Sequence, residues 1–186
     1  MFETVMLLAA PTAGFRLLGA LGVRRFATWR DSAAHGLAVM LVFTASAHFA
    51  PAGVTAIPNR EDMEAMIPPF VPFHAAVVYG SGALELLGAA GLVKTSTRRA
   101  AGLGLAAFFV GILPANIYAA VEHVTFDGEP ATPLWFRIPE QALYVATALW
   151  AAQSVSRRHR NFSPSPVHGA SLPSPSASRV ADSGAH

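Results

Sequence analysis

The chain has 186 residues, of which 53% are hydrophobic and only 13% are charged, and its mean hydropathy is +0.42. Because soluble domains are usually about a quarter charged, this composition favours a membrane helix bundle of one domain over a water-soluble core. The net charge of +2 is too small to indicate a nucleic-acid surface, and the lack of cysteine excludes disulfides, thiolate metal sites and cysteine nucleophiles.

The first apolar stretch, Thr4–Val23, is long enough to span a bilayer, but Pro11 and Arg16 interrupt it. A proline is tolerated in a membrane helix when neighbours satisfy the freed carbonyl, whereas an arginine needs a partner or water. The sequence therefore predicts a kinked or partly re-entrant first helix, with five spans expected and four as the alternative. No positive charge precedes the stretch, so it is not interpreted as a signal peptide.

Four further apolar stretches have the length of a membrane span, namely Ala33–Ala50, Val71–Val93, Ala100–Val121 and Ile138–Val155. In the third of these, small residues recur at every fourth position, at Ala107, Gly111, Ala115 and Ala119. This ladder predicts a helix face that another helix approaches closely. The predicted fold class is all-α, a polytopic membrane bundle with a four-helix core plus an N-terminal apolar helix.

The connections between the spans carry their own local signals. Asn59–Met66 predicts a short surface helix capped by Asn59, and Glu122–Pro133 predicts a polar loop that turns at Asp127 and Gly128. Asp31 or Ser32 is the expected N-cap of the second helix.

Basic residues cluster at alternate boundaries of the spans, at Arg24/Arg25/Arg30, Lys94/Arg98/Arg99 and Arg157/Arg158/Arg160. The acidic loops fall on the other side. The positive-inside rule then predicts a bacterial inner (plasma) membrane protein with an outside N-terminus and a cytoplasmic C-terminal tail. We divide the chain into an N-terminal helix with its basic loop (1–29), a membrane core (30–156) and a basic, then Ser/Pro-rich, disordered tail (157–186).

Glu85 is the strongest candidate for chemistry, because a carboxylate inside an apolar helix must be protonated, paired or turned to a wet cavity. One interpretation is an acid that handles protons or orients a ligand. The alternative is a buried polar tie, with Arg16, Asn116, Gln141 or a backbone group as the partner. His48, beside the extracytoplasmic loop, is interpreted either as a ligand or as an ordinary interfacial histidine.

Three further polar residues accompany the last two spans. Asn116 follows Pro114, which leaves a carbonyl near Val110 without its donor, so Asn116 either repairs this gap or donates to a head group or quinone carbonyl. Arg137, one turn before Gln141, either binds an anionic head group or snorkels to the interface. No phosphate loop, HExxH, GxSxG or EF-hand motif occurs, and we assign no catalytic residue and no metal ligand.

Several motifs together carry a family resemblance. A helix ends in His-Phe, Met-x-Pro-Pro precedes the next helix, and the set continues with Glu85, Pro-Ala-Asn and Arg-x-Pro-x-Gln. From about Arg30 to Ala152, the chain thus resembles the DoxX-like family of small bacterial integral membrane proteins. Each motif is weak alone, and the combination is specific.

The resemblance implies a four-helix membrane core that acts as an accessory or anchoring subunit of a quinone-linked redox system. It carries over Glu85, Asn116, Arg137 and Gln141 as motif positions rather than as catalytic residues. It also implies a redox protein as partner within the lipid bilayer. Quinone is the cofactor that this interpretation admits, and nothing in the sequence requires one. The alternatives are a small-molecule or proton pathway protein that uses Glu85, and a non-catalytic membrane scaffold. The oligomeric state stays open.

Overall fold

The computed structural model describes residues 2–51, 53–54, 57–126 and 129–153. In these residues the chain forms six α-helices: α1 Glu3–Ala20, α2 Trp29–Phe49, α3 Arg60–Ala65, α4 His74–Val93, α5 Arg98–Val121 and α6 Leu134–Ala152. A 3₁₀ turn, Arg24–Phe26, joins α1 to α2. Two short antiparallel segments, β1 Thr125–Phe126 and β2 Glu129–Pro130, lie between α5 and α6. The predicted all-α bundle is confirmed.

The five long helices run alternately up and down. Helix α2 is central and packs against α1, α4 and α6, while α5 packs against α4 and α6. Helices α2, α4 and α5 are long and apolar enough to cross a membrane, so the chain is a membrane protein. Helices α1 and α6 have 18 and 19 residues, or about 27 Å of helix each, close to the ~30 Å thickness of a hydrocarbon core.

Helix α1 is continuous from Glu3 to Ala20. Pro11 lies inside the helix, and the Thr12 hydroxyl donates to the carbonyl of Leu8 at 2.7 Å. Leu8 is buried in the core against α2. The Arg16 guanidinium stacks over the ring of Trp29, 5.7 Å from its centroid, which places this cation against an aromatic face.

Local caps decide where α2 and α3 begin. Thr28, not Asp31 or Ser32, caps α2, because its side-chain oxygen accepts the backbone N–H of Asp31 at 3.1 Å. Helix α2 therefore begins four residues before its apolar run. The predicted cap of α3 is confirmed, since Asn59 and Asp62 form a complete capping box.

Helix α4 begins at His74 rather than Val71. The residue before it, Phe73, has φ 60° and lies in the left-handed region, which a helix cannot include. Its side chain is 81% exposed, and that of Phe70 is 83% exposed. The apolar run from Val71 thus extends past the true helix start, because hydropathy does not report backbone conformation.

The small-residue ladder on α5 does not face another helix, contrary to the prediction. Gly111 has no atom within 4 Å of a built Cβ, and of the four ladder residues only Ala119 is buried. Close approach occurs instead at Gly102, where a Cβ would lie 2.5 Å from the carbonyl oxygen of Ala148 on α6. Spacing identifies a face, but it does not tell which face meets a neighbour.

The two basic clusters that the structure describes meet at one end of the bundle, as predicted. Arg98 contacts Asp31 at 2.5 Å, and its Nε donates to the carbonyl of Leu92 at 2.8 Å. Arg30 donates to the carbonyl of Gln153 at 2.8 Å. These cations neutralise the unpaired carbonyls at the C-terminal ends of α4 and α6. The third basic cluster and the tail lie outside the described residues.

Candidate functional site

Glu85 is buried on α4 and faces α2. Glu85 is 6% exposed, and its carboxylate contacts two side chains that lie one turn apart on α2. The Thr44 hydroxyl donates to Oε2 at 2.7 Å, and Nε2 of His48 lies 3.6 Å from Oε1. Two residues that the sequence treats separately, Glu85 and His48, therefore form one site.

None of the three side-chain partners expected for Glu85 reaches it. The structure places those residues, Arg16, Asn116 and Gln141, on α1, α5 and α6. Glu85 instead points into the α2–α4 contact, so its partners come from α2. The sequence shows that Glu85 is inside a helix, but it does not show which neighbour its face meets.

The hydrogen bonds of the His48 ring fix its tautomer. Nδ1 lies 3.0 Å from the carbonyl oxygen of Val78, which can only accept, so Nδ1 carries a proton. The Ser81 hydroxyl lies 3.1 Å from Nδ1 and donates to the same carbonyl at 2.8 Å. In a neutral ring, Nε2 therefore keeps its lone pair and directs it towards Glu85.

Gly82 makes room for this ring. A Cβ built on Gly82 would lie 2.7 Å from Cβ of His48 and 3.0 Å from the Phe49 ring. Helices α2 and α4 thus touch at the level of Gly82, one turn from Glu85. The glycine sets the close approach that brings the imidazole and the carboxylate together.

When Glu85 is ionised and the His48 ring is neutral, the Nε2 lone pair faces a carboxylate oxygen of Glu85, and the two repel. An added proton on either His48 or Glu85 converts this repulsion into an ion pair or a neutral acid–imidazole contact. The carboxyl is 8% exposed and the imidazole 12% exposed, so both groups are largely shielded from bulk water.

A second buried network ties α6 to α1 and α5. The Glu140 carboxylate accepts from Arg137 at 2.8 Å and from the Tyr144 hydroxyl at 2.7 Å, and the Thr4 hydroxyl of α1 also donates to it. Arg137 donates in addition to the side-chain oxygen of Asn116 at 2.8 Å. Glu140 is not among the site residues predicted from the sequence, although a carboxylate one turn inside an apolar run is a signal for a buried, partnered acid.

The polar side chains predicted on α5 and α6 have distinct partners. The amide of Gln141 donates to the carbonyl of Phe109 at 2.5 Å, one residue before the Val110 carbonyl that Pro114 deprives of a donor. Asn116 does not repair that gap, because its amide nitrogen, the group that could donate to a carbonyl, is buried and has no hydrogen-bond partner among the described residues. Its oxygen accepts from Arg137.

The two networks share no residue, since the first lies on α2 and α4 and the second on α1, α5 and α6. Among the described residues, no group of three or more His, Asp or Glu side chains is arranged to hold a metal ion. At the Glu85–His48 pair, a carboxylate faces the imidazole nitrogen that carries no proton in the neutral ring. Arg137 and Glu140 form an ion pair at 2.8 Å. Beside it, the Asn116 amide nitrogen has no hydrogen-bond partner among the described residues.

Fold and site together define a polytopic all-α membrane protein with ionisable side chains paired between its helices. Residues 37–152 match the family model described as a domain of unknown function, DUF8561, and the chain belongs to this family. The match begins within α2, so it leaves out α1 and the basic turn that follows it. No curated protein and no solved structure shows significant similarity to the chain.

Proposed function

We propose that this protein is a proton-handling protein of the bacterial inner membrane, in which the Glu85–His48 pair takes up and releases one proton. The observation that carries the proposal is the orientation of the His48 ring. Because Nδ1 is committed to the Val78 carbonyl at 3.0 Å, only Nε2 is available to exchange a proton with Glu85.

The position of the pair along the helices supports exchange with one side of the membrane. His48 is the penultimate residue of α2, whereas Glu85 follows the start of α4 by eleven residues, or about 17 Å of helix. The imidazole therefore lies between the end of the bundle that bears α3 and the deeper carboxylate. Under the positive-inside rule this end faces away from the cytoplasm, and the tail is cytoplasmic.

Difference infrared spectroscopy of the protein in hydrated membranes tests the proposal. We expect acidification to produce a carboxyl C=O signal that Glu85→Gln removes and that His48→Asn moves to a different pH. Glu61→Gln, which alters an exposed carboxylate on α3, serves as the control and keeps the signal. If Glu85→Gln folds with unchanged helix content and leaves the spectrum unaltered, the proposal is wrong.

A second candidate function is the accessory redox subunit that the DoxX-like resemblance implies. The observation that favours it is the Asn116 amide nitrogen beside the Arg137 guanidinium, a buried donor for which the described part of the chain offers no partner. A quinone carbonyl is an acceptor that such a donor would satisfy. The chain would then anchor a redox partner and bind quinone near α5 and α6.

Solvent extraction of protein purified in mild detergent, followed by mass analysis, tests this second function. We expect about one quinone per chain and its loss in Asn116→Leu. Glu85→Gln should retain the quinone, since Glu85 belongs to the other network. Bulk lipid alone in the wild-type extract would exclude a tightly held quinone and would leave the proton-handling function as the better account.

A further inference from the structure

We propose that the protein binds one anionic phospholipid in a groove between α2 and α4, with the lipid phosphate at Arg25. We call this the α2–α4 groove. Its volume is about 580 Å³, within the range of small-molecule sites. Phe15, His35, Val42, Leu86 and Ala90 are among the residues that line it. This inference is independent of the proton site.

The α2–α4 groove is apolar along its length and faces outward from the bundle. It follows α2 from His35 to Phe43, about 12 Å of helix. Phe43 is 58% exposed and Val42 53% exposed. In a membrane such a surface contacts acyl chains, so the groove suits the hydrocarbon part of a lipid.

Arg25 closes the basic end of the groove and is held there by two groove residues. Its Nε donates to Nε2 of His35 at 3.0 Å, and its Nη2 donates to the carbonyl of Val93 at 3.2 Å. His35 in turn has Nδ1 2.7 Å from the carbonyl of Asp31, so its ring is the neutral tautomer that accepts from arginine. The guanidinium is therefore oriented before any ligand arrives.

The basic end of the groove carries the positive charges of Arg25 and Lys94, and no carboxylate among the described residues forms an ion pair with either. Arg25 makes no ion pair there, and neither does Lys94, which directly follows the groove residue Val93 and is exposed. The nearest carboxylate, Asp31, is paired with Arg98 at 2.5 Å. An acyl groove that ends at an oriented arginine, with an exposed lysine next in the chain, complements a phospholipid with an anionic head group.

A comparison groove lacks this feature. The α4–α5 groove has a volume of about 430 Å³ and is lined by apolar residues and glycines such as Leu84, Leu87, Gly104 and Phe108. None of its lining residues is charged, and none is hydrogen-bonded to an arginine or lysine side chain among the described residues. It therefore provides the matched control for a lipid that is held by shape alone.

Native mass spectrometry of the protein exchanged into micelles with phosphatidylglycerol or phosphatidylcholine tests the proposal. We expect one phosphatidylglycerol to be retained in preference to phosphatidylcholine. Arg25→Gln should lower that preference about fivefold, the effect of one cation at a membrane surface. Arg25→Lys should keep most of it, which also guards against misfolding of the glutamine variant. Arg99→Gln, which alters an exposed arginine at the same end, should change nothing.

The groove itself is tested by filling it. Ala90→Phe should remove the retained lipid, whereas Gly104→Phe, which fills the α4–α5 groove, should leave it bound. Excess inorganic phosphate should not displace the lipid. Equal retention of both lipids, loss of the lipid in Arg99→Gln or Gly104→Phe, full competition by phosphate, or a quinone retained in place of the lipid would each overturn the proposal.

Discussion

At the residue scale, the buried Arg137–Glu140 pair makes a sharp prediction about stability. The Glu140 side chain is 2% exposed and that of Arg137 is 22% exposed, so Arg137→Gln leaves a carboxylate buried with hydroxyl partners only. We expect a loss of about 3–5 kcal/mol in the free energy of unfolding, measured in detergent micelles. Adding Glu140→Gln to this variant should restore most of it. The control Arg99→Gln should change the free energy of unfolding by no more than about 0.5 kcal/mol. A similar loss in Arg137→Gln and in Arg99→Gln would contradict the prediction.

Single residues also show which features of the site can be predicted from the sequence. That Glu85 must be buried and partnered follows from one carboxylate in an apolar helix, and the structure agrees. Its partners, Thr44 and His48, could not be predicted, because their spacing shows only that they share a face of α2. Which helix faces Glu85 is set by packing over the whole bundle, and one sequence carries no direct signal for it.

At the scale of helices, two glycines of α5 separate packing from backbone propensity. A Cβ at Gly102 would lie 2.5 Å from the carbonyl of Ala148, whereas Gly104 has nothing within 4 Å. Both Gly→Ala changes raise helix propensity equally, by about 1 kcal/mol. We therefore expect Gly102→Ala to destabilise the protein by about 1–3 kcal/mol and Gly104→Ala to be neutral or stabilising. Thermal unfolding in the same detergent measures the difference, and equal midpoints would show that α5 and α6 separate at no cost.

The helices themselves could be predicted better than their contacts. All five long helices overlap the apolar stretches of the sequence, and the cap of α3 follows directly from Asn59 and Asp62. The errors lie at three helix starts. Thr28 and the left-handed Phe73 override hydropathy at α2 and α4, and α6 begins at Leu134, four residues before the predicted Ile138. The ladder on α5 failed for a related reason: in lipid, small residues occur on exposed faces as well as on packed ones.

At the scale of the whole molecule, the order of the helices determines where the charges lie. Because the long helices alternate in direction, the basic turns after α1 and α4 share an end, and Arg25 and Arg98 are bonded to neighbouring segments there. His48 lies near the opposite end, as the penultimate residue of α2. In the proposed arrangement, the proton site lies towards one side of the membrane and the lipid-binding basic end towards the other, which would give the bundle a fixed polarity across the membrane.

That polarity is open to direct measurement, because the chain has no cysteine and single cysteines can be introduced without background. Glu61 lies on α3, Lys94 lies in the basic turn, and both are exposed. If the basic end is cytoplasmic, a membrane-impermeant maleimide will label Glu61→Cys in intact cells and Lys94→Cys only after lysis. Glu3→Cys tests whether α1 crosses, since it should label like Glu61→Cys if all five long helices span. Labelling of Glu3→Cys only after lysis would leave α1 on the cytoplasmic side, and reversed labelling of the other two positions would invert the bundle and place the His48 end inside.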